Sequence, residues 1–236
     1  MPKPSVTIVI PVHNEAGFLP DAIARLTAEL AGVEADWDIV LAENGSTDGT
    51  PGIAADLAAR RDDLTMIRLP DPDYGAAMRS GFAGAAGDWA VNFDIDYFSG
   101  DFLSAALAMA AEADVVLASK RAAGSDDRRT TFRRMGTLVF NLILRTLFGS
   151  SVSDTHGMKL VRREVISAVL PQVVSTKDLF DTELVIRAER AGYRIAELPV
   201  VVEEQRDARS SYLKRVPRTL LGLIKIRIRM WREPRG

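Results

Sequence analysis

Two kinds of segment alternate along the first half of the chain, and this alternation limits the possible folds more than any other feature. Apolar, β-branched runs predict strands at residues 6–12, 37–42, 64–69, 89–94 and 114–118. Helices are predicted between them, at 18–31, from Thr50 with Pro51 in the first turn, at 75–86 and at 100–112. Strands that alternate with helices form right-handed βαβ crossovers. The sequence therefore predicts an α/β fold with a Rossmann-like, mostly parallel sheet flanked by helices.

The connections that follow these strands are the expected ligand-binding positions. In open parallel sheets, ligands bind outside the carboxyl ends of the strands. That rule selects residues 13–17, 43–49, 70–75 and 94–99, and the chemically distinctive residues fall in these connections.

The second half of the chain alternates less regularly. A polar, basic segment covers residues 121–134, and helices are predicted at 135–148 and 178–191, with a strand at 193–202. This half is expected to add to the first sheet. A chain of 236 residues with 47% hydrophobic content fits one large domain. We assign residues 1–212 to that domain and residues 213–236 to a C-terminal tail.

Composition sets the expected location. The chain has no cysteine, which excludes disulfides and thiolate metal sites and is compatible with a reducing compartment. No apolar stretch approaches the roughly 18 residues that a membrane span needs, and no signal-peptide cleavage pattern follows the first strand. The expectation is a cytoplasmic protein that starts at Met1 and associates peripherally with the inner face of the membrane.

Charge is distributed unevenly along the chain. Residues 206–236 hold ten Lys and Arg against Asp207 and Glu233, a net charge of +8, which leaves −10 for residues 1–205 in a chain of net charge −2. This asymmetry predicts that the tail meets an anionic partner. Nucleic acid is not expected to be that partner, since the basic residues are confined to the tail and lack a stacking platform.

The tail itself has two alternative structures. A helix that starts at Pro217 would place basic residues on one face and apolar residues on the other, which suits the interface of an anionic membrane. The basic set is Arg218, Lys225, Arg229 and Arg232, and the apolar set is Leu220, Leu221, Leu223, Ile224 and Trp231. Residues 224–230 also alternate as a strand would. A packing element or a contact in a homodimer is the other open interpretation.

Asp94-Ile95-Asp96 closes the predicted strand at 89–94. Residues i and i+2 of a strand face the same side, so the two carboxylates should converge at the edge of the sheet. Oxygen ligands without Cys or His nearby favour Mg²⁺ or Mn²⁺. A pair of solvated aspartates in a turn is the alternative interpretation.

Two further segments lie at the same edge. The glycines of residues 43–49 permit a tight turn, and the side chains offer hydrogen bonds to a base or ribose. Taken alone, this segment is better explained as a turn followed by a helix cap. Residues 11–15 end the first strand, and we assign no acid–base role to His13.

In this order, Pro11–Glu15, Glu43–Gly49 and Asp94–Asp96 resemble the P-V-x-N-E, D-D-G-S-x-D and D-x-D motifs of family 2 glycosyltransferases with the GT-A fold. Later segments look like one subgroup, the polyprenyl-phosphate sugar synthases, of which dolichol-phosphate mannosyltransferase is an example. These segments are residues 118–121, 133–137 with Asn141, 154–157, 180–183, 197–200 and 206–211. Three positions depart from the family pattern: Glu43-Asn44 replaces two aspartates, Phe98 replaces a glutamine, and residues 206–212 keep only Arg206 and Ser211 of the last motif.

The resemblance implies an inverting transferase that moves a hexose from a GDP- or UDP-sugar to a polyprenyl (dolichyl-type) phosphate at the membrane surface. It implies metal ligands at Asp94 and Asp96, further catalytic residues at Arg121, Arg134 and Asp181, and acceptor contacts at Asp154, Arg206 and Ser211. The implied nucleotide contacts are Pro11, Val12, His13, Glu15, Glu43, Asn44, Gly45 and Ser46. Two alternatives stay open: a hydroxyl acceptor, which would need Asp181 as base, and a nucleotide-binding module without catalysis, which Asp94-Ile95-Asp96 disfavours.

Overall fold

The structure is a computed structural model that describes residues 2–119, 126–127, 131–202 and 212–233. Its strands are β1 Ser5–Val12, β2 Asp36–Asn44, β3 Leu64–Leu69, β4 Trp89–Asn92, β5 Val115–Ser119, β6 Asp126–Asp127, β7 Lys159–Arg162, β8 Ile195–Pro199 and β9 Val201–Val202. Its helices are α1 Leu19–Leu30, α2 Thr50–Ala59, α3 Tyr74–Gly84, α4 Gly100–Ala108, α5 Thr131–Phe148, α6 Arg163–Val169, α7 Phe180–Arg190 and α8 Tyr212–Arg232.

A mixed sheet of seven strands forms the centre of the molecule, in the order β3-β2-β1-β4-β7-β5-β8. All neighbouring pairs are parallel except β4–β7 and β7–β5, which are antiparallel. The prediction of a mostly parallel sheet is therefore confirmed. Strand β7, which separates β4 from β5, was not predicted. The short strands β6 and β9 pair with each other in a separate sheet.

Most predicted elements appear within a few residues of their expected bounds, and four details differ. Strand β4 ends at Asn92, two residues earlier than predicted. Gly49 rather than Thr50 is the N-cap of α2, although Pro51 does lie in its first turn. The strand expected at 193–202 divides into β8 and β9. Helix α7 begins at Phe180, because a turn of 3₁₀ helix precedes it.

Helices cover both faces of the sheet, which explains why β1 is a continuous apolar run. On one face, α1, α2 and α4 close a cluster that includes Leu26 and Leu103. On the other, α3, α6 and α7 close a second cluster, where the rings of Phe82 and Phe180 stack with centroids 6.2 Å apart.

A third apolar cluster joins α8 to the body of the protein. Leu223, Ile226 and Met230 of α8 are buried against Leu144 of α5 and Ile186 of α7. The alternative in which residues 224–230 form a strand is thus wrong, and Pro217 lies inside the helix instead of starting it. Leu223, predicted on the exposed apolar face, is 0% exposed. Among the described residues, no helix combines the length and apolar character needed to cross a membrane.

An ion pair at the far edge of the sheet gives a pH-dependent contribution to stability. The Arg194 guanidinium donates to both oxygens of Asp114, at 2.9 and 3.1 Å, and lowers the pKa of that carboxyl from 3.8 to about 2. A depressed pKa stabilises the fold above the unfolded-state value, and this stabilisation is lost as the pH falls towards 2. Because Arg194 is 55% exposed, solvent screening limits the contribution to about 1 kcal/mol.

We therefore expect Asp114→Asn to lower the free energy of unfolding by about 1 kcal/mol at pH 7. The difference from the unsubstituted protein should shrink between pH 4 and pH 2. Urea unfolding at a series of pH values measures it. A difference that is constant with pH would show that the lost contribution is not electrostatic.

Candidate active site

The carboxyl ends of β1 to β4 surround a cleft of about 380 Å³. All four predicted loops contribute to its wall, so the structure brings the predicted segments together at this edge. The lining residues are Pro11, His13, Glu15, Asn44, Pro72, Tyr74, Asp94, Ile95 and Asp96. A second cleft of similar volume, beside Arg79 and Arg163, contains none of the predicted motifs.

The cleft lies at the point where the order of the strands reverses. From β1 the chain proceeds through β2 to β3 on one side, and then returns to place β4 on the other side of β1. Adjacent connections run in opposite directions there and leave a crevice at the strand ends. His13 follows β1 and Asp94 follows β4, so the first and third motifs flank this crevice.

Hydrogen bonds join the loop after β1 to the loop after β2. Asn14, with a positive φ of 55°, donates its backbone N–H to Ser46 Oγ at 2.9 Å and accepts from the Thr47 N–H at 2.8 Å. His13 Nδ1 lies 2.7 Å from the Asn44 carbonyl oxygen. Glu15 donates its N–H to Thr50 Oγ1 at 2.8 Å. The two segments thus form one rigid wall of the cleft.

Glu43 is a carboxylate buried at the base of this wall, with 0% exposure. Its Oε1 accepts the Ser46 N–H at 2.7 Å, and Arg68 Nε lies 3.5 Å from Oε2. Oε2 has no hydrogen-bond partner within the described residues. Glu43 therefore shapes the turn that the family motif occupies.

Gly45 and Asn44 hold the neighbouring loop close to this turn. Gly45 has φ +61°, and a Cβ there would lie 2.6 Å from the Asp71 carbonyl carbon, so a larger residue would displace the chain. Asn44 Oδ1 accepts the Asp73 N–H at 2.5 Å. Asp73 in turn caps α3 through the Ala76 N–H. The contacts described for Asn44 and Gly45 thus hold the loop in place.

Asp94 and Asp96 lie in a tight turn after β4, not on the strand itself. Asp94 and Tyr97 exchange backbone hydrogen bonds of 3.0 and 3.1 Å, which close the turn. The strand predicted to reach Asp94 ends at Asn92, so strand alternation does not place the two carboxylates, although both aspartates do line the cleft. Both side chains are half-buried.

Two hard oxygen donors side by side fit Mg²⁺ or Mn²⁺, which completes its coordination with water and substrate phosphates. Within the described residues, no group of three or more His, Cys, Asp or Glu is placed to hold a metal ion. Phe98, at the position of the family's glutamine, packs against the core with its ring 5.7 Å from the Arg25 guanidinium carbon.

Asp154 lies close to this turn. Burial, followed by the charges of Asp154 and Asp94, raises the pKa of Tyr97. Asp154 is itself buried, and its Oδ1 accepts the His156 N–H at 3.0 Å. The structure thus brings Asp154 to the same end of the sheet as Asp94.

A buried ion pair lies behind the cleft. Lys159 Nζ donates to Asp181 Oδ1 at 2.9 Å, to Asn92 Oδ1 at 3.0 Å and to the Gly157 carbonyl at 2.8 Å, which uses all three of its protons. Tyr74 donates its hydroxyl to Asp181 Oδ2 at 2.9 Å. The negative charge of Asp181 is therefore balanced by Lys159, and both of its oxygens accept hydrogen bonds.

Several predicted site residues either pack in the core or lie outside the described part of the chain. Val12 packs in the first core cluster, so a nucleotide would meet it only through its backbone. Arg134 lies in the first turn of α5, but its side chain is outside the described part of the chain. Arg121, Arg206 and Ser211 are also outside the described residues.

Comparison with known families decides what kind of protein carries this cleft. The sequence profile of glycosyl transferase family 2 matches residues 7–170, which include all three motifs around the cleft. The chain belongs to this family. It is a glycosyltransferase, as the resemblance of its motifs predicted.

Two relatives show the breadth of this family-2 similarity. The glycosyltransferase AglD of Haloferax volcanii is 30% identical over 234 residues, 96% of this chain and 37% of that protein. An undecaprenyl-phosphate 4-deoxy-4-formamido-L-arabinose transferase of Pectobacterium carotovorum is 29% identical over 170 residues, 70% of this chain and 51% of that protein. The family-2 chain described here thus spans about a third to a half of the length of these two relatives.

Solved structures confirm the GT-A fold of this family-2 enzyme. Glucosyl-3-phosphoglycerate synthase of Mycobacterium tuberculosis, solved in complex with Mn²⁺, UDP and glucosyl-3-phosphoglycerate, aligns with a TM-score of 0.71. The alignment covers 95% of this chain and 80% of that one at 19% identity. At this identity the similarity establishes the fold.

Three residues at or behind the cleft of this family-2 enzyme were not predicted from the sequence to belong to the site: Tyr74, Asn92 and Lys159. Asn92 has one available signal, a polar residue inside an apolar strand just before the D-x-D motif. Lys159 has the same signal in β7, which was not predicted. Tyr74 has only a positional signal, since it falls in the predicted connection 70–75, and a tyrosine at the start of a helix is otherwise ordinary.

Proposed function

We propose that the enzyme transfers a hexose, with inversion, from a nucleotide-diphosphate sugar to a polyprenyl (dolichyl-type) phosphate at a membrane surface. The observation that carries the proposal is the cleft in which the loops after β1 and β2 lie opposite Asp94 and Asp96. The first two loops would hold the nucleoside, and the aspartates would face its diphosphate. The likeness to an undecaprenyl-phosphate sugar transferase supports the acceptor class.

Asp94 and Asp96 would hold Mg²⁺ or Mn²⁺ on the donor diphosphate. When bound, such an ion neutralises the charge that develops on the leaving nucleoside diphosphate. The turn closed by Asp94 and Tyr97 fixes both carboxylates relative to β4 and so orients them in advance. The hydrogen-bonded wall from His13 to Thr47 would keep the nucleoside in register with them.

The hydrogen bonds of Asp181 bear on the acceptor. A sugar hydroxyl needs a carboxylate to remove its proton, whereas a phosphate monoester is already anionic at neutral pH. Both Asp181 oxygens accept hydrogen bonds, one of them from the buried Lys159. This arrangement supports an acceptor that attacks without a base and disfavours the hydroxyl alternative. Arg121, Arg134 and Arg206 are proposed to hold the acceptor phosphate, with Asp154 and Ser211 beside it.

A donor and acceptor screen tests the proposal. GDP- and UDP-sugars labelled in the sugar are incubated with short polyprenyl phosphates or with hydroxyl acceptors, with Mg²⁺, Mn²⁺ or EDTA. Metal-dependent transfer to polyprenyl phosphate is the expected result, and the anomeric configuration of the product tests inversion. Transfer to hydroxyl acceptors alone would contradict the proposal.

Arg206→Ala should raise the KM for polyprenyl phosphate more than the KM for the nucleotide sugar. The expected loss is about tenfold or more in acceptor kcat/KM, because a hydrogen bond to a charged group contributes about 1.5–3 kcal/mol. Arg60→Ala, an exposed arginine at the end of α2, is the control. A change confined to the donor KM would assign Arg206 to the donor instead.

A further inference from the structure

Helix α5 carries an apolar face directed away from the protein. Leu144 is fully buried on its inner side, whereas Met135, Leu138, Val139 and Leu142 are each at least 50% exposed. At about 3.6 residues per turn, these four residues fall on the side opposite Leu144. Soluble proteins rarely expose several large apolar residues together unless the patch binds something.

Helix α8 has the same arrangement. Leu223, Ile226 and Met230 are buried against the body, at 0%, 1% and 1% exposure. The opposite side carries an exposed apolar stripe, formed by Leu220, Leu221, Ile224, Ile228 and Trp231. A single amphipathic helix needs one apolar side to pack on its protein. The second apolar side of α8 is therefore not required for packing the helix on the body of the protein.

The two helices that carry these outward faces are neighbours. Helices α5 and α8 contact each other and pack on the same apolar cluster, which includes Leu144, Leu223 and Ile186 of α7. Since each helix turns its inner side to this shared cluster, both apolar stripes point away from it.

Buried polar contacts fix α8 in this position. Arg187 of α7, 4% exposed, donates to both oxygens of Glu233 at 2.8 Å and to Glu183 Oε1 at 2.9 Å. Gly222 lies so close to the body that a Cβ would meet the Leu179 side chain. The surface is therefore formed before any partner binds.

The charges around the stripes identify the partner. Lys225 and Arg232 lie along one border of the α8 stripe and Arg227 along the other, all exposed, and Arg145 of α5 is exposed as well. Glu233, the acidic residue that directly follows α8, is held by Arg187. An apolar stripe between cations fits the headgroup region of an anionic bilayer.

We propose that the outward faces of α5 and α8 form one preformed surface that docks on an anionic lipid bilayer. The inference rests on the proposed function for the identity of the acceptor, but not for the binding itself. It differs from the sequence prediction, which used α8 alone and assigned Leu223 to the membrane side.

The position of α5 links this surface to the active site. Asn141 donates to the Ser153 carbonyl, and the Phe140 ring packs on His156 with centroids 5.6 Å apart. Asp154, between these two contacts, lies near Tyr97 and the D-x-D turn. Docking through α5 would thus bring a lipid headgroup to the side of the cleft where the acceptor is expected.

Vesicle flotation with point variants tests the surface. Deleting α8 is unsuitable, since this would expose Leu144 and leave Arg187 without Glu233. Instead, Leu138→Ser/Leu142→Ser on α5 and Leu221→Ser/Ile224→Ser on α8 are compared with Val174→Ser, an exposed apolar residue outside both helices. The vesicles are phosphatidylcholine with or without phosphatidylglycerol, and they contain no polyprenyl phosphate.

The unsubstituted protein should bind the phosphatidylglycerol vesicles, and salt should weaken the binding. Each double variant should lower the partition coefficient by about tenfold or more, because two buried apolar side chains are lost. Val174→Ser should bind as the unsubstituted protein does. Unchanged binding of the α5 variant would remove α5 from the surface, and unchanged binding of both variants would overturn the proposal. Loss of self-association in light scattering, with vesicle binding unchanged, would identify a contact between two copies instead.

Transfer to a short, water-soluble polyprenyl phosphate separates this inference from the proposed function. All variants should keep that activity, since none changes a residue of the cleft. Vesicle binding without any transfer would contradict the proposed function and leave the surface intact.

Discussion

Asp96→Asn is expected to abolish sugar transfer while the protein stays folded. The substitution keeps the size of the side chain but removes one of the two carboxylates in the turn after β4. Stabilisation of the leaving diphosphate by a metal is worth several kcal/mol, so we expect a loss of about 10³-fold or more in kcat. Initial rates over a series of Mg²⁺ and Mn²⁺ concentrations measure the effect.

Asp101→Asn is the matched control for this change. Asp101 is exposed in the first turn of α4, a few residues further along the chain, and does not line the cleft. It should retain full activity, and both variants should unfold at similar temperatures. Full activity of Asp96→Asn in buffer treated with EDTA would rule out the metal site.

Lys159→Met is expected to lower the free energy of unfolding by about 3–5 kcal/mol. The methionine replaces the volume of the lysine but leaves Asp181, 3% exposed, as a buried carboxylate without the counter-charge of Lys159. This is a large fraction of the roughly 5–15 kcal/mol that stabilises a typical domain. Urea unfolding followed by circular dichroism measures the change.

Two comparisons make this second test specific. The double variant Lys159→Met/Asp181→Leu removes both charges and should be more stable than Lys159→Met alone. Lys3→Met removes the ion pair with Glu34, whose side chains are 52% and 89% exposed, and should change stability by less than about 1 kcal/mol. If Lys159→Met costs no more than Lys3→Met, the buried pair does not carry the stability that we assign to it.

The positions of strands and helices along the chain could be predicted wherever the apolar residues repeat with a clear period. The spacing of apolar residues placed β1, β2 and β3 and helices α1 to α4 within a few residues of their positions, since strands and helices repeat with different periods. Strand β7 was missed because it has four residues and includes the charged Lys159 and Arg162. Nothing local distinguishes such a segment from a loop.

The two apolar faces of α8 show a second limit of prediction from the sequence. Its sequence contains two apolar stripes and a set of cations, and a helical projection alone does not say which stripe packs on the protein. The cluster with Leu144 and Ile186 decides this, and it assigns Leu223 to the interior. The alternation of residues 224–230 is compatible with a strand as well as a helix, and the packing of α8 on the body selects the helix.

The α/β fold, the family and the loops that form the cleft could all be predicted from the amino-acid sequence, because each of these follows from periodicity or from short ordered motifs. The folded molecule was needed to show that Asp181 is paired with Lys159 and bound by Tyr74, which is 107 positions away along the chain. The same holds for the packing of α5 and α8 on one cluster with Ile186 of α7. These features depend on contacts between residues distant in sequence, and no local pattern records which distant residues will meet.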